Sequence, residues 1–172
     1  MTTPSALQSK DRATGSLRVD GSRLWLSLME LAKIGATPKG GVRRLALTDL
    51  DRQGRDLVVR WLREAGANVE IDGAGNIFAT RRGRDDAAPV VLTGSHVDTQ
   101  PSGGKFDGNY GVLAGLEVLR TLNDVGVVTE KPVGVTIAGP IGAERATLLA
   151  ADWIHARIGR WDTELDSTKG DR

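Results

Sequence analysis

The chain has 172 residues, a formal net charge of +1 and no cysteine. This length suffices for one domain, the balanced charge gives no general attraction for nucleic acid or for an anionic membrane, and the missing thiols exclude disulfides, thiolate metal sites and cysteine nucleophiles. The cysteine-free sequence fits a cytoplasmic protein, and no apolar run approaches the ~20 residues of a membrane span.

Two amphipathic helices are predicted in the first part of the chain, after a polar arm over residues 1–19. Residues 22–34 carry Leu24, Leu28 and Leu31 at helical spacing, with Ser22 as the predicted N-cap. A second helix is predicted over residues 49–65, before Gly66. Its apolar stripe is Leu50, Leu57, Val58, Trp61 and Leu62. Its charged residues, predicted to face solvent, are Arg52, Arg55, Asp56, Arg60 and Arg63.

A hairpin and a strand–helix–strand unit follow along the chain. Residues 69–71 and 76–79 alternate around a turn at 72–75, which predicts the hairpin. Residues 89–93 are a continuous apolar run, typical of a strand buried on both faces. A helix over 112–122 and a strand over 133–137 complete a βαβ unit, so the two strands are predicted to be parallel neighbours. After Ile137 the sequence changes to an alanine-rich helical pattern, and residues 138–172 are predicted to be a divergent tail.

The residues that carry chemistry lie in a glycine-rich loop after the predicted strand, where α/β proteins place their sites. His96 can offer a neutral imidazole nitrogen to a metal, while Asp98 accepts the other ring N–H. Asp107 follows in the same loop, and a carboxylate can bridge two cations. On the residues alone, a metal site and a structural His–Asp hydrogen-bond pair both remain open. The loop lacks the phosphate-binding glycine spacings and the nucleophile-elbow pattern.

One long segment resembles a known family. Residues 94–118 read Gly-Ser-His-Val-Asp-Thr-Gln-Pro-Ser-Gly-Gly-Lys-Phe-Asp-Gly-Asn-Tyr-Gly-Val-Leu-Ala-Gly-Leu-Glu-Val, which is similar to the signature of the hydantoinase/carbamoylase amidases. This family includes N-carbamoyl-L-amino-acid hydrolases, β-ureidopropionases and allantoate amidohydrolases, and is related to the zinc aminoacylases and dipeptidases. The resemblance covers residues 22–137. It implies an α/β fold, part of a zinc-aminopeptidase-like catalytic domain over residues 20–137, with a mixed and partly parallel sheet flanked by helices.

The resemblance also implies an activity and a site. His96 would bind one metal, Asp107 would bridge two, and Asp98 would support His96. The reaction would be hydrolysis of the carbamoyl C–N bond of N-carbamoyl amino acids (ureido acids). The family uses two divalent metal ions for it, which are zinc, manganese, cobalt or nickel. Gln100-Pro101 and Lys105-Phe106 resemble the carbamoyl-amino-acid and ureidopropionate branch, with allantoate as the alternative substrate. The complete proteins of the family are homodimers.

The sequence departs from the family after the last predicted strand. There the family has Thr-Asn-Glu-Glu-Gly, whose first glutamate is the general base and whose second binds metal, and this chain has Ala-Gly-Pro-Ile-Gly-Ala-Glu-Arg over residues 138–145. Two later histidine ligands and the dimerisation domain have no counterpart. We therefore expect an incomplete, inactive N-terminal portion, truncated or frameshifted, that binds one metal weakly or none. Glu144 and His155 are the candidate substitutes, and a non-catalytic remnant or interaction module is the alternative.

Overall fold

Three helices and four strands make up the part of the chain that the structure describes. The structure is a computed structural model and describes residues 17–139. Its elements are α1 (Gly21–Lys33), α2 (Asp49–Glu64), β1 (Asn68–Ile71), β2 (Ile77–Arg81), β3 (Val91–Ser95), α3 (Asn109–Asp124) and β4 (Val133–Ile137). Glu144, His155 and nearly all of the predicted arm and tail lie outside these residues. None of the three helices combines the length and apolar character that a membrane crossing requires.

The strands form one mixed sheet in the order β1-β2-β4-β3. β1 and β2 are an antiparallel hairpin, and β2 also pairs antiparallel with β4. β3 and β4 are parallel, with Val91 opposite Val133 and Ser95 opposite Ile137. The prediction that these two strands are parallel neighbours joined through a helix is confirmed. So is the predicted mixed sheet flanked by helices.

One apolar core joins the helices to the sheet. α3 packs on β3 and β4, α1 packs on α3, and α2 packs on the β1–β2 hairpin. The core side chains come from the apolar faces of all three helices and from β2 and β4, and include Leu28, Leu31, Val58, Leu62, Leu113, Leu116, Leu119, Ile77, Val135 and Ile137. The predicted helical spacing is therefore confirmed for most of the apolar residues on which it rests.

Two predictions about helix residues at the surface are wrong. The N-cap of α1 is Asp20 and not Ser22, because the Asp20 carboxylate accepts hydrogen bonds from the backbone N–H groups of Ser22 and Arg23 at 2.9 and 3.0 Å. In α2, Leu50 is 38% exposed and does not join the apolar stripe. The neighbouring Asp51 is buried instead.

Two further predictions about burial are also wrong. Arg55 does not face solvent: it is half-buried, and its guanidinium donates to the carbonyl oxygens of Gly75 and Ala138. β3 is not buried on both faces, since Val91 is 56% exposed. Within residues 17–139, β3 lies at the edge of the sheet and pairs only with β4, so one side of it has no strand to cover it.

Gly54, inside α2, is the position where that helix passes closest to Arg44. A Cβ at Gly54 would lie 2.7 Å from Arg44 Cδ and 2.9 Å from Nε. Alanine normally stabilises a helix interior by about 0.5–1 kcal/mol relative to glycine. We expect Gly54→Ala to destabilise the protein by about 1–3 kcal/mol instead, because the buried Arg44 side chain cannot move aside and the site becomes overpacked.

The measurement for Gly54→Ala is the free energy of unfolding from chemical denaturation. The matched control is Gln53→Ala, at the adjacent exposed position of α2, where a change within about 0.5 kcal/mol is expected. Equal stability of the two variants would show that the Arg44 side chain can shift to make room for a Cβ at Gly54 without loss of stability.

Candidate metal centre

The candidate site begins where two parallel strands end. His96 directly follows β3, and β4 ends beside it, because Ser95 is paired with Ile137. The pairing continues for one more residue, since the N–H of Ala138 donates to the Ser95 carbonyl at 2.8 Å. The carboxyl ends of parallel strands form the edge at which α/β proteins bind ligands. The loop from residue 96 to residue 108 then leads from this edge to α3.

His96 is held by Asp98 through one ring nitrogen. Its Nδ1 lies 3.0 Å from the backbone carbonyl oxygen of Asp98 and 3.3 Å from the Asp98 carboxylate oxygen Oδ1. A ring nitrogen facing two acceptors carries the proton, which leaves the lone pair on Nε2. Nε2 has no hydrogen-bond partner among residues 17–139. This is the tautomer and orientation that a metal-binding histidine needs, with the main chain as the nearer of the two acceptors.

The segment that carries Asp107 packs against the His96 ring. Gly108 has a φ of 69°, and a Cβ there would lie 2.5–2.6 Å from three atoms of the imidazole. Asp107 is the preceding residue, so its main chain lies beside the ring. Its carboxylate is exposed and makes no hydrogen bond or ion pair to any residue that the structure describes. The role of Asp107 as a bridging metal ligand stays a prediction.

The loop at this edge offers two side chains of the types that bind metal ions, the His96 imidazole and the Asp107 carboxylate. An imidazole nitrogen and a carboxylate are ordinary ligands of zinc and of neighbouring divalent metals. Residues 17–139 contain no group of three or more His, Cys, Asp or Glu side chains that could hold a metal. Catalytic zinc sites use three protein ligands. The described residues therefore place no third ligand of this kind beside His96 and Asp107, and the metal site stays a prediction.

A buried arginine lies beneath the site, and the sequence analysis missed it. The guanidinium of Arg44 is fully buried and donates four hydrogen bonds. Nε donates to the carbonyl of Val97 at 2.8 Å, and Nη1 donates to the carbonyls of Leu31 and Ile34 at 3.0 and 2.8 Å. Nη2 donates to Oδ1 of Asn109 at 3.0 Å. Arg44 therefore connects the end of α1, the His96 segment and the start of α3.

Two carboxylates, those of Asp51 and Asp98, interact electrostatically with both Arg44 and Arg55. Burial lowers the pKa of Arg44, and the charges of Asp51 and Asp98 act in the opposite direction. Burial likewise lowers the pKa of Arg55, opposed by the same two carboxylates. Burial raises the pKa of Asp51, although a hydrogen bond from Leu47 N–H opposes the rise. The second oxygen of Asp51 has no partner among residues 17–139.

Comparison with known proteins shows what the sequence is similar to. No protein-family model matches it. N-carbamoyl-L-amino-acid amidohydrolase of Rhizobium meliloti is 54% identical over 142 residues, which are 82% of this chain and 34% of that protein. A crystal structure of a hydantoinase/carbamoylase family amidase from Burkholderia ambifaria is 63% identical with a TM-score of 0.70, over 71% of this chain and 30% of that one. The chain belongs to the hydantoinase/carbamoylase family of amidases.

Two more distant matches extend the comparison. Allantoate amidohydrolase of Bacillus subtilis is 38% identical over 94 residues, 55% of this chain and 23% of that protein. The aminopeptidase PepT of Bacillus cereus is 17% identical with a TM-score of 0.58, over 78% of this chain and 39% of that one, which shows a shared fold. The aminopeptidase-like fold is thus confirmed. The present chain spans about a third of the length of the Rhizobium relative.

Proposed function

We propose that this protein contributes the loop with His96 and Asp107 to the active site of a metal-dependent amidohydrolase. The reaction would cleave the carbamoyl C–N bond of N-carbamoyl amino acids. The observation that supports this most directly is the orientation of His96 at the carboxyl end of β3. Its Nδ1 is turned toward Asp98, so Nε2 is available to a metal. The name of the Rhizobium relative supports the same substrate class.

In this proposal each residue of the loop has a distinct task. His96 would hold one divalent ion through Nε2, and Asp107 would hold it together with a second ion. Asp98 would accept a hydrogen bond from Nδ1–H and keep the ring in the tautomer that binds metal. Gly108 allows the Asp107 segment to approach the imidazole face. The metals, when bound, would lower the pKa of a water molecule and polarise the carbamoyl carbonyl.

The proposed active site lacks a general base within the described residues. At the edge where the family has its glutamate pair, the backbone of Ala138 and Gly139 continues from β4. Neither residue has a side chain that can take a proton from water. Loss of a general base typically costs about 10²–10⁴ in rate. We therefore propose that the 172-residue chain alone hydrolyses N-carbamoyl amino acids at least about 10²-fold more slowly than its relatives that have the glutamate pair.

A graft separates the contribution of residues 17–137 from that of the tail. We expect the Rhizobium meliloti relative to retain metal-dependent release of ammonia from an N-carbamoyl-L-amino acid when its matching segment is replaced by these residues. His96→Ala in the graft should lower kcat/KM by at least about 10³, because metal chemistry accounts for most of the rate. The matched control is Gln100→Ala, a substitution in the same loop that leaves both proposed ligands in place. A folded, metal-loaded graft without turnover would contradict the proposal.

The isolated chain can be assayed in parallel with added zinc, manganese or cobalt. Ammonia release that depends on metal and is abolished by His96→Ala would show that residues outside 17–139 supply a base, with Glu144 and His155 as the first to test. A non-catalytic binding module is the second candidate function. It is favoured by the incomplete ligand set among the described residues, and metal binding without turnover by either the chain or the graft would support it.

The proposed partner is a small ureido acid, with allantoate as the alternative substrate. The relative named allantoate amidohydrolase is less similar than the Rhizobium relative, at 38% against 54% identity. Comparing kcat/KM of the graft for N-carbamoyl amino acids and for allantoate distinguishes the two substrates.

The cysteine-free sequence fits a reducing compartment, and we propose a cytoplasmic location. A homodimer is proposed for the full-length proteins of the family only.

A further inference from the structure

We propose that Arg44 is a positioning residue of the metal centre, fixing from beneath both of the segments that carry His96 and Asp107. This inference rests on the proposed function, because it concerns the same two ligands. Arg44 itself donates no hydrogen bond to His96 or to Asp107. It acts through the main-chain carbonyl of Val97 and the side chain of Asn109.

The first connection fixes the His96 segment. Val97 lies between His96 and Asp98, and its carbonyl accepts from Arg44 Nε at 2.8 Å. Two residues further on, Thr99 is bonded to the main chain of Arg44: the Thr99 N–H donates to the Arg44 carbonyl at 2.8 Å, and the Arg44 N–H donates to the side-chain Oγ1 of Thr99 at 2.8 Å. The loop is thus attached to Arg44 at two points that flank Asp98, the acceptor for His96 Nδ1.

The second connection fixes the Asp107 segment. Asn109 is almost fully buried, and its Oδ1 accepts from Arg44 Nη2 at 3.0 Å. Its Nδ2 donates to the carbonyl of Lys105 at 3.1 Å, and its backbone N–H donates to the Asp107 carbonyl at 2.7 Å. Asn109 therefore closes the turn that contains Asp107, and Arg44 holds Asn109 in place.

The remaining two bonds anchor Arg44 to a rigid element. Nη1 donates to the carbonyls of Leu31 and Ile34 at the C-terminal end of α1, where helices have unpaired carbonyls and favour a cation. All four acceptors are neutral oxygens spread around one planar guanidinium. A lysine ammonium is a single point donor and cannot reach the same set. The geometry is specific to arginine, which gives a clear test.

The experiment uses the 172-residue chain with ¹⁵N-labelled histidine and measures two properties. The chain has two histidines, so a His155→Gln background leaves a single imidazole. The ring ¹⁵N shifts of His96, taken at one fixed pH at which the imidazole is neutral, report the tautomer without any metal. Titration calorimetry with Co²⁺ reports metal affinity. Circular dichroism confirms that each variant is folded.

Arg44→Lys should change both properties. We expect the His96 nitrogens to shift toward averaged tautomers and Co²⁺ affinity to fall at least about tenfold, the usual scale for lost support behind a metal ligand. Asn109→Ala should lower Co²⁺ affinity while leaving the His96 shifts as in the parent, because it loosens only the Asp107 segment.

The matched control is Arg120→Lys. Arg120 is also partly buried and donates to Ser27 Oγ at 2.9 Å, and it lies about 16 Å along α3 from Asn109 at the ordinary helical rise. It should leave both properties unchanged. A folded Arg44→Lys protein with the parent tautomer and the parent Co²⁺ affinity would overturn the proposal.

The remaining outcomes separate this inference from the proposed function. If Arg44→Lys does not fold, unchanged Co²⁺ affinity in Asn109→Ala overturns the connection to Asp107. If the parent chain binds no Co²⁺ although His96 shows a single tautomer, the same Co²⁺ titrations are made on the graft in the Rhizobium relative, and a folded graft that binds no Co²⁺ contradicts the metal-centre proposal. The tautomer comparison then decides by itself whether Arg44 positions His96.

Discussion

Gly108→Ala is expected to destabilise the protein and to displace His96 at the same time. The backbone of Gly108, with a φ of 69° and a ψ of −52°, lies in a sparsely populated region that costs a residue with a Cβ about 1–3 kcal/mol. The new Cβ would also lie 2.5–2.6 Å from three imidazole atoms. The ring cannot retreat without losing its contacts to Asp98. We expect a loss of about 2–4 kcal/mol in the free energy of unfolding, from strain and overpacking together.

The measurement for Gly108→Ala combines chemical denaturation with the ¹⁵N signals of the His96 ring. Gly104→Ala is the matched control, since it lies in the same loop and a Cβ there would have no neighbour within 4 Å. The control should retain the parent stability and His96 shifts. Parent-like stability and ring signals in Gly108→Ala would show that the Asp107 segment is not packed on the imidazole.

Gly94→Ala should have the larger effect on stability. Gly94 lies in β3 opposite Thr136 of β4. A Cβ there would overlap the Thr136 carbonyl oxygen and lie 2.5 Å from Thr136 Cγ2 and 2.8 Å from its carbonyl carbon. Because the main obstacle is backbone, the two strands must separate at the end that leads into His96. We expect a loss of about 3 kcal/mol or more, at the upper end of overpacking effects.

A double variant tests whether the backbone is the true obstacle at Gly94. Thr136→Ser removes Cγ2 and keeps the hydroxyl that donates to the Ile77 carbonyl. If the carbonyl oxygen dominates, the double variant Gly94→Ala/Thr136→Ser should recover less than about 1 kcal/mol of the loss, roughly the worth of one methyl group. Full recovery in chemical denaturation would place the conflict at the methyl group and leave the strand spacing unaffected.

Apolar periodicity was sufficient to predict the framework of the fold. Strand β4 was predicted with its observed limits, because alternating Val133, Val135 and Ile137 face the core. The same logic failed for β3, whose continuous apolar run indicates burial on both faces. Burial depends on which strands lie alongside, and in residues 17–139 no strand covers the outer edge of β3. Local composition cannot report such a neighbour.

The site was predictable only in part for a related reason. His96 and Asp98 are two residues apart, so their contact follows from short-range spacing. Arg44 is separated from Val97 and Asn109 by 53 and 65 residues, and it directly follows Arg43, which is exposed. A charged side chain is normally assigned to the surface. Nothing in its local sequence indicates that four oxygens converge on it.

The central position of β4 has a consequence for synthesis on the ribosome. The β1–β2 hairpin can close from local sequence alone, but β3 pairs within the described residues only with β4, which follows it by roughly 40 residues. At a translation rate of about 5–20 residues per second, this interval lasts about 2–8 s. During that time β3 has no partner strand among the described elements, and the loop with His96 and Asp107 follows a strand that has not yet paired. Chaperone contact with the nascent chain is therefore expected in this interval, before β4 emerges.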